Sequence, residues 1–91
     1  MYQIIDGNGS GKTKKLMLLA QEHNGVFVCA NPHAMREKAR AYGLTGFDII
    51  SYNDFFDIRN YYEKPCFIDE IGKCLMAWDN NVAGYSLTLE D

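Results

Sequence analysis

Proline and tryptophan are scarce in this 91-residue chain, with two and one respectively, and no proline-rich, low-complexity or repeated tract is visible. Fibrous and solenoid classes are thereby excluded, and a 47% hydrophobic, 23% charged composition excludes a disordered one. Long apolar runs are also missing: none approaches the roughly 20 residues of a membrane span, so no membrane partner is expected. Neither sign of charge predominates. Nine basic against twelve acidic residues leave a net charge of −3, which gives no general attraction to nucleic acid or an acidic membrane. Nucleic-acid binding is therefore not indicated by charge and would need a local patch. Cysteine amounts to Cys29, Cys66 and Cys74, an odd number without a disulfide framework, and no secretory leader is expected before the first strand. A reducing cytoplasm follows. Cys29 and His33 stand four apart, yet zinc needs about four ligands and no second pair completes the set, so buried or incidental thiols are the better reading. The length lies below the usual domain range of roughly 100 to 150 residues, which makes 1–91 a single domain.

What is present alternates between strand and helix patterns. Gln3 to Ile5 reads as a strand ending at a glycine-rich turn. A helix from Gly11 to His23 follows, with Leu16, Leu19 and Ala20 at helical spacing and Asn24-Gly25 as a left-handed stop. The continuous apolar run Val26 to Ala30 is the pattern of a strand covered on both faces, which argues for a parallel sheet. Asn31 followed by Pro32 opens a second helix that carries Met35, Ala39 and Tyr42 toward the sheet and closes at Gly43. A third strand is expected at Phe47 to Tyr52, then a short helix through Phe55, Phe56 and Tyr61 capped by Ser51 or Asn53, and a break at Pro65. Cys66 to Asp69 reads as a fourth strand, Gly72 to Trp78 as a helical turn, and the region around Tyr85 to Leu89 as a fifth strand. The expected fold class is α/β: a three-layer αβα arrangement around a mostly parallel five-stranded sheet, with ligands beyond the carboxyl ends of the strands.

The segment Asp6-Gly7-Asn8-Gly9-Ser10-Gly11-Lys12-Thr13 lies between the first strand and the first helix, the setting in which a glycine-rich match becomes a credible phosphate cradle. Gly7, Gly9 and Gly11 allow a concave nest of amide hydrogens, and the helix behind it offers its positive dipole end. Lys12 can reach terminal phosphates, and the Thr13 hydroxyl is placed to ligate magnesium. Asn8, Ser10 and Lys14 complete the expected nucleotide-binding set. Asp6 stands where the P-loop formula has its first glycine; closing the strand, it need not face the ligand.

Cys66-Phe67-Ile68-Asp69-Glu70 is an apolar strand ending in two carboxylates. Asp69 is expected to hold magnesium, and Glu70 to polarise the attacking water if the chain turns there, a turn that Gly72 permits. With these residues in view, the chain resembles the additional-strand, catalytic-glutamate P-loop NTPases, a RecA-like, helicase-like and AAA-like class, in a minimal single-domain form like those encoded by phages and mobile elements. GSGKT at Gly9 to Thr13, VFVCANP at Val26 to Pro32, SYNDF at Ser51 to Phe55 and FIDE at Phe67 to Glu70 are each similar to segments of that class. Ser86-Leu87-Thr88 is similar to its serine-alanine-threonine sensor. If phage encoded, the chain would act in the host cytoplasm.

The resemblance implies an NTPase: ATP or another NTP bound with Mg2+ and hydrolysed slowly, with Lys12 and Glu70 catalytic and Thr13 and Asp69 on the metal. Arg36, Arg40 and Arg59 have no finger context, so a protein partner or self-association would supply the catalytic arginine. The alternative is a nucleotide-dependent binding module without useful turnover. A nucleoside or nucleotide kinase ranks lower, because few residues follow Glu70 to build an acceptor pocket and lid. A complete helicase would need a second RecA-like domain, for which this length has no room.

Overall fold

Four consecutive fully buried residues, Val26–Cys29, form the central strand β2 of the computed structural model, which describes residues 2–6, 11–58, 63–70 and 82–88. Around it the chain forms β1 (Tyr2–Asp6), α1 (Lys12–Glu22), α2 (Pro32–Tyr42), β3 (Asp48–Ser51), α3 (Tyr52–Ile58), β4 (Cys66–Ile68) and β5 (Val82–Thr88). The expected helical turn over Gly72 to Trp78, and Tyr61, lie outside the described residues. The five strands make one sheet in the order β1-β5-β4-β2-β3, and every neighbouring pair is parallel.

Alternation along the strands divides the apolar side chains into two clusters. Phe27, Cys29 and Phe67 pack with Leu16, Met17 and Ala20 of α1 and Ala39 of α2. On the other face Val26, Val28, Cys66, Ile68, Val82 and Tyr85 pack with Phe55 of α3. Burying large side chains of this kind contributes about 1.5–3 kcal/mol each.

Local chemistry explains the helix ends. The Ala34 amide donates to the Asn31 side chain at 3.1 Å, with Pro32 at the first helical position. Gly43, at φ 72, closes α2 through bonds from Gly43 N–H to the Arg40 carbonyl and from Leu44 N–H to the Ala39 carbonyl. At the end of α1 the left-handed residue is Asn24, φ 52, and not Gly25. Gly25 serves close approach instead: a Cβ there would stand 2.5 Å from the Pro65 carbonyl oxygen. Ser51, rather than Asn53, caps α3 by accepting the Asp54 amide at 3.1 Å. Tyr42 does not face the sheet as expected; it ends α2 at 39% exposure, its ring under the Lys14 ammonium at 5.3 Å.

The last strand begins at Val82, earlier than expected, and is bulged. Cys66 pairs with Val82 but Phe67 with Gly84, leaving Ala83 as one extra residue. That residue resets the alternation, so Tyr85 shares the face of Val82 while Ser86 turns to the α1 side. The bulge therefore decides which side chain of β5 reaches the carboxyl end of β4.

Candidate functional site

Gly11 precedes α1 at φ 79, a conformation that favours glycine, and no side chain among the described residues caps the helix. No acidic residue lies in its first turn, so the amide end of α1 keeps its positive character. Gly7, Asn8, Gly9 and Ser10 lie outside the described residues, as does the side chain of Asp6. The two residues that follow Gly11 point into the fold's carboxyl edge: Lys12 is 8% exposed, and Thr13 is half-buried.

They meet the acidic end of β4. The Thr13 hydroxyl stands 3.4 Å from Asp69 Oδ1 and 3.5 Å from Oδ2, and the Lys12 ammonium stands 3.5 Å from Glu70 Oε1. Thr13 and Asp69 are 56 positions apart, so tertiary structure alone brings them together. Because the hydroxyl–carboxylate distance exceeds the usual O–H···O range of about 2.5–3.0 Å, this contact is loose and does not seal either oxygen.

Two hydroxyls secure the acidic turn. Ser86 is fully buried, donates to Asp69 Oδ1 at 2.6 Å and accepts the Glu70 amide at 2.8 Å. Tyr52 donates to the Asp69 carbonyl at 2.5 Å and lies 3.3 Å from that of Glu70. The turn falls at Glu70, as expected, with φ 52, one of two described non-glycine residues with positive φ; Gly72, expected to permit it, lies outside the described residues. Asp69 and Glu70 thus both face α1 although strand geometry would send them to opposite sides.

Burial pushes the Asp69 carboxyl above the ordinary 3.8, and the Glu70 charge adds to the rise; Ser86, Thr13 and Lys12 oppose it. Burial, seconded by Asp69, pushes the Cys29 thiol up to about 12, so this cysteine stays protonated beside the site and its sulfur contacts the Ile50 carbonyl. Among the described residues no three His, Cys, Asp or Glu side chains converge on a metal position. One buried carboxylate and one hydroxyl are oxygen donors of the type that Mg2+ accepts, since that ion keeps several waters and takes substrate phosphates for the rest. The donor set fits magnesium and does not fit zinc.

Lys14 stands apart from this group, over Tyr42. Arg36 donates to the Ile49 carbonyl at 3.2 Å, and Arg40 pairs with Glu37 at 3.2 Å. Both line a cavity of about 450 Å3 between α2 and β3, away from the Lys12–Asp69 cluster. No described helix is long and apolar enough to cross a membrane. Sequence reading gives Tyr52 no role beyond its place in the SYNDF segment, and marks Ser86 only as a sensor of ligand; neither signal points to the acidic turn. Comparisons with family models, with curated proteins and with solved structures give no match to this chain.

Proposed function

We propose that the chain is a minimal P-loop NTPase of three-layer αβα build that binds ATP or another NTP with Mg2+ and hydrolyses it slowly. The observation that carries the reading is the convergence of Lys12 and Thr13, in the first turn of α1, with Asp69 and Glu70 at the end of β4. Support also comes from the sheet: β5 lies between β1 and β4, in keeping with the additional-strand class that the sequence resembles.

In this reading the polyphosphate lies against the uncapped amide end of α1, and Thr13 and Asp69 hold the magnesium. When bound, the metal neutralises charge on the phosphate oxygens. Lys12 leaves Glu70 for the terminal phosphates, which frees the Glu70 carboxylate to take the proton of a water. The water oxygen bonds to the γ-phosphorus as the bond to the β–γ bridging oxygen breaks, giving NDP and phosphate. An arginine from a partner or a second copy would raise the rate by about 10³ to 10⁵.

Titration calorimetry with magnesium ATP and ADP on wild type and Lys12→Ala tests the binding step. Heat from wild type that disappears in the variant is the expected result; no heat from wild type with either nucleotide ends the reading.

A further inference from the structure

Tyr52 is the first residue of α3, and its place there is set by Ser51, which caps the Asp54 amide at 3.1 Å. Its half-buried ring packs against the cluster of Val26, Val28, Phe55 and Ile68. From this anchored position its hydroxyl reaches the carbonyls of two successive residues, Asp69 at 2.5 Å and Glu70 at 3.3 Å. Successive carbonyls of an extended strand point opposite ways, so one donor can reach both only where the chain turns. The turn in question is the left-handed one at Glu70, a conformation unusual for a residue with a side chain. Ser86 holds the same turn from the other side, through the Glu70 amide.

We propose that Tyr52 is a positioning residue for hydrolysis: its hydroxyl holds the turn that carries the Glu70 carboxylate to the Lys12 side of the site. The inference rests on the NTPase reading above. It gives the segment from β3 into α3 a part in the chemistry, because any shift of Tyr52 is delivered to the backbone of Glu70, the general base of that reading. Tyr52 itself touches neither nucleotide nor water in this scheme, so its loss should spare binding and impair turnover.

The test compares wild type with Tyr52→Phe, which keeps the ring and removes only the hydroxyl. Magnesium ATP affinity is measured by calorimetry, turnover by phosphate release, and exchange of the Glu70 amide by NMR. We expect kcat to fall about tenfold or more, as misplacement of a catalytic group does, with affinity held within about twofold. We also expect the Glu70 amide to exchange about tenfold faster while the amides of β2 keep their protection. If wild type turns over and the variant matches it, the positioning role is overturned while the nucleotide site stands. If wild type binds without turnover, the hydrolysis reading falls and this role in hydrolysis falls with it. An unchanged Glu70 exchange rate overturns the hold on the turn in either case.

Discussion

Replacing Ser86 by alanine removes two hydrogen bonds from a fully buried position, one of them to a carboxylate. A hydrogen bond to a charged group is worth about 1.5–3 kcal/mol, and the Glu70 amide left behind adds up to about 1 kcal/mol because water can partly replace its partner at that half-exposed residue. The expected cost is thus about 2–4 kcal/mol, which at about 4–8 °C per kcal/mol lowers the melting temperature of so small a domain by roughly 8–32 °C. The charge on Asp69 should dominate that cost. In an Asp69→Asn background the hydroxyl meets a neutral amide oxygen, where a hydrogen bond is worth about 0.5–1.5 kcal/mol. Urea unfolding of wild type, both single variants and the double variant at neutral pH therefore measures a coupling of about 1–2 kcal/mol between the two positions. Additive costs, within about 0.5 kcal/mol, would refute the claim that Ser86 exists to hold an ionised Asp69.

The same buried carboxyl sets a pH dependence. Its folded pKa is raised above 3.8, so the folded state keeps the proton longer than the unfolded one, and stability declines as pH climbs from 3.8 through the folded value. Asp69→Asn should therefore melt higher than metal-free wild type at neutral pH and lose that advantage at the acid end, while wild type alone gains stability from added magnesium; thermal scans across pH decide it. Glu70→Gln frees Lys12 from its ion pair, so magnesium ATP should bind at least as tightly as to wild type while turnover falls about 100-fold or more. Calorimetry and phosphate release on that variant would count against the scheme if affinity dropped. Gly25→Ala brings a methyl group to 2.5 Å from the Pro65 carbonyl, which already accepts the Val26 amide at 2.9 Å and cannot give way cheaply; about 1–3 kcal/mol of destabilisation should appear in urea melts.

Much of the fold was legible because short-range chemistry dictates it. The unbroken apolar run of β2 announces a strand with both faces covered, and Asn31-Pro32 and Gly43 punctuate α2 with residues that satisfy or release specific backbone groups. Tyr42 was misplaced because helical spacing from Met35 and Ala39 says nothing of where the sheet ends; the last residue of α2 is exposed and lies under Lys14 instead. The start of β5 was hidden for a related reason. Val82-Ala83-Gly84 shows no alternation, and the bulge at Ala83 breaks the period that would have marked it. The motif residues of the site could be named from their order along the chain. Their mutual contacts could not: Tyr52 and Ser86 become neighbours of Asp69 only through the order β5-β4-β2-β3, which local pattern does not encode.

The acidic turn is the part of this molecule that stability alone would not produce. A left-handed glutamate costs about 1–2 kcal/mol relative to glycine at the same place, and a carboxyl such as Asp69, 6% exposed, resists ionisation. Both features are maintained by dedicated hydroxyls, one on β5 and one on α3, which approach from separate parts of the sheet. A chain selected only to fold would place glycine at 70 and an apolar residue at 69, extending the core of β4 by one position. Strain and buried charge gathered at the mouth of an uncapped helix, with a lysine beside them, are the features expected where a cation and an anion must later be held together. That concentration of locally unfavourable choices, more than the glycine-rich pattern that drew attention to this end of the sheet, is the reason to read the junction of α1 and β4 as a working site.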